Sequence, residues 1–183
     1  GGSGVGILLE IARQLKIVPA GVGVDILLLD GEDYGAPQNA GYMGTDDWAL
    51  GSQYWSRYPH ATAYNARFGI LLDMVGAENA VFTMEGTSMY YAPDVAAKVW
   101  HTAGSIGYSD YFSSERTNAI TDDHAYINQL RQIPTIDIIQ HDPTTNSGFY
   151  MHWHTINDNM KNISKNTLMA VGQTVLTVVR AEK

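Results

Sequence analysis

Cysteine is absent from the 183 residues, which excludes disulfides, thiolate zinc sites and a cysteine nucleophile together. It leaves the compartment open, since an exported protein can do without cysteine. No apolar run approaches the roughly 20 residues that a membrane span needs. Basic residues are scarce: 11 Lys and Arg stand against 19 Asp and Glu, a formal charge of -8. An acidic surface repels phosphate backbones and argues against a nucleic-acid partner. Gly1 to Gly6 (GGSGVG) does not fit the dinucleotide fingerprint, and no strand precedes it. The Walker A lysine is missing, and no serine lies in a G-x-S-x-G elbow. Ser88, in Gly86-Thr87-Ser88, reads as loop.

What is present fits one globular domain over residues 1–183, with 45% hydrophobic and 16% charged residues and no internal repeat or low-complexity linker. Apolar residues at helical spacing (Val5, Leu8, Ala12, Leu15) predict a helix over 5–15. Val24–Leu29 (VDILLL) reads as a buried strand after a glycine-bearing turn. A loop rich in Gly, Asn and Pro follows over Gly31–Asp47, then a helix over Trp48–Arg57. Phe68–Val75 and Asn79–Met84 read as strands with a turn near Gly76. A helix is expected over Tyr90–Gly104, with Pro93 in its first turn, and a shorter one over His124–Leu130. Pro134–Ile139 reads as a strand opened by its proline, and Ile163–Val179 as the last helix. Strands alternating with helices predict an α/β three-layer sandwich, its mixed, mostly parallel sheet covered by helices on both faces.

In such sheets ligands bind beyond the carboxyl ends of the strands. The first expected strand exits into Asp30-Gly31-Glu32-Asp33, the second carries Asp73 near its end, and another exits into His141-Asp142. Two loop clusters add Thr121-Asp122-Asp123-His124 and His152-Trp153-His154-Thr155. Carboxylates and imidazoles without thiols form a donor set that zinc accepts. Each signal has an ordinary alternative. Glu32-Asp33 taken alone is solvated surface, Asp122-Asp123 suits a helix N-terminus, and His154 beside Trp153 suits a packed histidine. Asp73 is less ordinary, because a carboxylate inside FGILLDMV is costly to bury unpaired. Their convergence on one sheet edge is the stronger argument.

These segments resemble a known family. Asp30-Gly31-Glu32-Asp33 is similar to the D-G-E-E or D-G-E-D motif of zinc-dependent glutaminyl cyclases, members of the zinc aminopeptidase superfamily. Leu71-Leu72-Asp73-Met74-Val75-Gly76-Ala77 resembles their L-L-D-x-[IV]-G-A segment. Asp122-Asp123-His124 is similar to Q-D-D-H, and Trp153-His154-Thr155 with Asp158-Asn159 to W-H-T-x-x-D-N. The Glu-Asp pair, the Tyr34–Asp47 loop and Trp48-Ala49-Leu50-Gly51-Ser52 bring the bacterial cyclases closest.

The resemblance implies a role for each matching residue. Glu32 is the expected general acid/base, Asp33 and His154 the expected zinc ligands, and Asp73 with Asp122 the expected carboxylate network. Trp153, Phe149 and Trp48 are the expected pocket walls. It further implies conversion of N-terminal glutamine to pyroglutamate with release of ammonia, a peptide partner with a free N-terminus, and an extracytoplasmic location; the sequence leaves the oligomeric state open, with a monomer as the expectation. The family's first zinc ligand is an Asp immediately before the segment that matches Gly1-Gly2-Ser3-Gly4. The chain is therefore expected to lack an N-terminal part and, as it stands, to hold zinc weakly. Two other functions stay open. A zinc aminopeptidase would use Glu32 to activate water, although such relatives carry Ser-Asp-His where this sequence has Asp122-Asp123-His124. A non-catalytic binding domain of the same fold is the other.

Overall fold

The structure is a computed structural model that describes residues 1–35 and 46–183. Helix α1 (Gly2–Ile17) opens the chain and buries Ile7 and Ile11. A short 3-10 turn, Glu32–Tyr34, precedes α2 (Leu50–Arg57). Strand β1 (Gly69–Asp73) is followed by β2 (Phe82–Met84), α3 (Gly86–Tyr91) and α4 (Pro93–Ser105). Then come β3 (Phe112–Arg116), α5 (Asp123–Tyr126) running into a π-helical turn at Ile127–Arg131, β4 (Thr135–Ile139) and α6 (Lys165–Ala181).

The strands form two parallel pairs, β1 with β4 and β2 with β3. An isolated bridge between Phe82 and Gln140 joins the pairs. All five β4 residues are buried. Side chains alternate between faces along a strand, so β4 is covered on both sides. Ile136 and Ile138 enter the main apolar core with Ile7 and Ile11 of α1, Val99 of α4 and Val171 and Val175 of α6. The intervening Asp137 meets His124 of α5 instead. Helices α1, α4 and α6 thus cover one face, and α5, which packs on α2, covers the other. This is the expected three-layer α/β arrangement.

One glycine sets the distance between α1 and the sheet. A methyl group at Gly4 would lie 2.1 Å from the carbonyl oxygen of Leu72 in β1. Three residues beyond Leu72, the Val75 amide donates to Ser3 Oγ at 3.1 Å, so the helix cannot retreat without losing that bond. Gly4→Ala is expected to cost about 1–3 kcal/mol through overpacking, a melting temperature lower by several degrees. Gly104→Ala, on α4 with nothing within 4 Å of the added methyl, is the matching control and is expected to be neutral or stabilising. Equal melting temperatures for the two variants would refute the argument.

Several elements differ from the sequence-based expectation. The segment 24–29 is not a strand: no ladder partner stands beside it among the described residues. A cavity of about 520 Å³, lined by Gly21–Ile26 and by Tyr64–Ile70, separates it from β1, and Leu28 is 61% exposed. Apolar composition alone does not make a strand without a neighbour at about 4.8 Å. The helix expected over 90–104 is two helices, broken at Ala92 (φ -140, ψ 47). A residue before proline is pushed out of the helical region, so Pro93 starts a new helix. Ser88 lies in α3 rather than in a loop, with its Oγ accepting from the Asp137 amide. Strand β3 was not foreseen, because its polar sequence FSSER has no apolar alternation. The middle of the expected Gly31–Asp47 loop, residues 36–45, lies outside the described residues.

Candidate active site

The Asp30-Gly31-Glu32-Asp33 turn is shaped by its backbone. Gly31 adopts a left-handed conformation (φ 66), which glycine enters without steric cost. The amides of Ala49, Leu50 and Gly51 then donate to the carbonyls of Glu32, Gly31 and Asp30, at 2.9, 3.1 and 2.9 Å. The first turn of α2 is thereby laid along the turn that carries Glu32. That approach requires glycine at position 51, where a methyl would meet Asp30 O at 2.5 Å.

Asp33 leaves this turn towards the loop at the other end of the chain, and its Oδ1 stands 3.1 Å from His154 Nε2. His154 sits at φ 56, a strained conformation for a side-chain-bearing residue. Its ring stacks on Trp153 at 4.0 Å and 22°, and Trp153 packs on Phe149 at 4.9 Å. Trp48 lies against Gly35, two residues from Asp33. The structure therefore gathers Asp33, His154, Trp153 and Phe149 in one contact chain, with Trp48 beside the Glu32–Tyr34 turn.

Asp33 and His154 place an oxygen and a nitrogen donor 3.1 Å apart, donor types that zinc accepts, but two where a catalytic zinc takes three protein ligands. No cluster of three or more such groups close enough to hold a metal ion occurs among the described residues.

Beneath this pair lie the other carboxylates. Asp122 is the N-cap of α5, its Oδ1 accepting from the Asp123 amide, so it does occupy the helix N-terminus that the sequence also allowed. Burial, then the charge of Asp73, pushes its carboxyl well above the usual range, with Glu32 adding to the effect. Burial pushes half-buried Glu32 up to about 7, followed by the charges of Asp33, Asp73 and Asp123. Glu32, Asp73 and Asp122 thus share one electrostatic neighbourhood, and the coupling between Asp73 and Asp122 is through charge. Such a cluster holds at least one proton or a cation, because adjacent carboxylates do not all ionise. The nitrogen of Gly1 lies 3.2 Å from Asp73 Oδ1, which puts the start of α1 at the same cluster.

The exit of β4 does not join this site. His141 and Asp142 line a separate cavity of about 320 Å³ with Glu78, Glu115 and Tyr150, and Asp142 caps its own turn through Thr144. Buried polar residues that the sequence did not single out are Glu85 and Asp137, both fully buried and both facing His124. For Asp137 the signal was available: a carboxylate inside the apolar run TIDII is as unusual as Asp73. Glu85 offered no comparable signal, since it stands ahead of what read as a loop.

A model of peptidase family M28 matches residues 1–179. The structure of Bacteroides thetaiotaomicron glutaminyl cyclase bound to N-acetylhistamine is similar at 58% identity and a TM-score of 0.95, over 100% of this chain and 62% of that one. A leucine aminopeptidase precursor from the same species shares 56% identity with a TM-score of 0.92, over 100% of this chain and 61% of that one. A Zn-dependent exopeptidase from Parabacteroides distasonis shares 49%, with a TM-score of 0.96 over 100% and 62%. The chain thus spans less than two thirds of the length of the solved structures that it matches. No curated protein matches it.

Proposed function

The chain belongs to peptidase family M28, and from that premise we propose that it carries the site of a zinc-dependent glutaminyl-peptide cyclotransferase. The observation that carries the reading is the juxtaposition of a half-buried carboxylate, Glu32, with the facing donors Asp33 and His154 at 3.1 Å. Its partner is a peptide or protein with a free N-terminal glutamine. It acts outside the cytoplasm, as the resemblance implies, with a monomer as the expected form, and no helix among the described residues is long and apolar enough to cross a membrane.

Zinc held by Asp33 and His154 would polarise the γ-carboxamide carbonyl of the substrate. The chain's own residues do the rest. Glu32 accepts a proton from the attacking α-amine and returns it to the departing ammonia, so the C–N bond of the new lactam forms as the amide C–N bond breaks. Asp122 and Asp73, whose charges act on each other, hold the amine in place. Trp153 and Phe149 wall the glutaminyl side chain and exclude water, with Trp48 a third wall.

The second reading, an aminopeptidase that uses Glu32 to activate water, draws support from the 56% identity to the leucine aminopeptidase precursor. The two differ in product. Incubation with glutaminyl peptides and with aminoacyl chromogenic substrates is expected to give ammonia and pyroglutamyl peptide, with little free amino acid. Free amino acid without ammonia would overturn the cyclase reading. In the whole protein, Asp33→Ala and His154→Ala are each expected to lower zinc affinity at least about tenfold, measured as metal retained on dialysis. Unchanged zinc content in both variants would remove the pair as ligands.

A further inference from the structure

Glu85 sits at the corner between β2 and α3, 1% exposed. Four donors converge on its carboxylate. One oxygen accepts from the amides of Thr87 at 2.7 Å and Ile120 at 3.1 Å. The other accepts from the Ser88 amide and from His124 Nε2, the latter at 3.1 Å. Only an acceptor-only group with two oxygens satisfies four donors at once. Ser88 and Thr87 belong to the first turn of α3, so part of this is ordinary helix capping. A short capping side chain, Ser or Asp, would serve that purpose without burying a longer carboxylate.

The additional reach of Glu85 goes to Ile120 and His124, which flank Asp122 on either side by two residues. Thr87 Oγ1 reinforces the first of these contacts by donating to Ile120 O at 2.7 Å. A methyl at Gly86 would lie 2.7 Å from the Ala119 amide nitrogen, so the two segments run in close contact. His124, itself 0% exposed, turns its other ring nitrogen towards Asp137 of β4 at 3.9 Å. Its carbonyl accepts from Asn128 Nδ2 at 2.8 Å. The hydrogen bonds of Asp122 among the described residues are local: its side chain accepts from the Asp123 amide and its carbonyl from the Ala125 amide.

We propose that Glu85, acting with His124, is a positioning residue for the reaction, a buried clamp that fixes Asp122 against Glu32 and Asp73. The clamp rests on the assignment of Asp122 to the reacting site made above. It also accounts for a buried acid–imidazole pair that no step of the chemistry uses. Glu85 keeps its charge there: burial alone would raise its pKa, but hydrogen bonds from His124 and Ser88 outweigh burial and hold it down at about 2.

Glu85→Gln keeps the side-chain shape and turns an amino group towards two of the donors. The whole protein is the material to use, with ammonia release from a glutaminyl peptide as the readout. Glu85→Gln is expected to lower kcat at least about tenfold while KM stays within about threefold and zinc content is unchanged, since displacing a reacting group by about 1 Å costs up to ~100-fold. Val99→Ala in the α4 core is the control for lost stability and is expected to keep wild-type kcat. His124→Gln retains an N–H near the imidazole Nε2 and is expected to recover most of the kcat lost in His124→Leu. The clamp is refuted if Glu85→Gln is no slower than Val99→Ala, or if His124→Gln is as slow as His124→Leu. If Glu85→Gln does not fold, the His124 pair decides alone. If the wild type yields amino acids and no ammonia, the cyclase reading fails separately. The same variants are then compared on peptide hydrolysis, where the same pattern supports the clamp and its absence refutes it.

Discussion

Glu32→Gln in the whole protein is expected to lower turnover at least about 100-fold while leaving zinc bound, the size of effect that removal of a general acid/base produces. The amide has nearly the shape of the acid but can neither accept nor deliver the proton that passes from the α-amine to ammonia. The backbone of the turn is untouched, because its carbonyl, not its side chain, receives the Ala49 amide. Thermal stability should therefore stay near that of the wild type, and the loss should fall on kcat. Glu32 is surrounded by carboxylates, so removing its charge relieves repulsion and gives no reason for unfolding. Turnover within a few-fold of wild type would take Glu32 out of the mechanism.

Asp122 should show the second large effect. In the whole protein, Asp122→Ala removes one member of the proposed carboxylate pair and is expected to reduce cyclisation about 100-fold, with zinc content nearly intact because neither proposed ligand is touched. Ala also removes the N-cap of α5, a cost of about 1 kcal/mol. Asp122→Asn separates the two losses, since its amide oxygen still accepts from the Asp123 amide. Asn is expected to restore the thermal stability and only part of the activity. Zinc content and kcat/KM for ammonia release are the measurements. Full activity in Asp122→Ala would dismiss the carboxylate pair, and zinc loss in that variant would mean that Asp122 belongs to the metal site instead.

How much of this was legible beforehand depends on what each feature rests on. Helices α1, α4 and α6 follow from apolar spacing, which records burial of one face. Strands β1 and β4 follow from short apolar runs, and β4 is buried on both faces as such a run implies. The segment 24–29 carries the same signal and is not a strand, because pairing depends on what lies beside it in space. Strand β3 carries no signal at all. Among the site residues, motif likeness found Glu32, Asp33, Asp73, Asp122 and His154, and the structure brings Asp33 and His154 together from opposite ends of the chain. Three features left no trace: the ladder from α2 to the Asp30–Glu32 carbonyls, the four-donor environment of Glu85, and the diversion of His141-Asp142 to another cavity. All three depend on backbone geometry and distant neighbours, which residue types do not encode locally.

The gap beside β1 has a consequence for handling the molecule. Among the described residues β1 pairs in a ladder with β4 alone, and across about 520 Å³ of space it faces the apolar stretch VDILLL, which has no ladder partner among those residues either. An edge without a partner among the described residues, next to an apolar hexamer with a single charge, is the pattern from which strand-to-strand self-association starts. Asp25 is the only charge within that stretch, and its carboxylate is engaged with Tyr64, so it guards the edge poorly. In concentrated solution, the segment that leads into Glu32 and Asp33 is therefore expected to favour self-association.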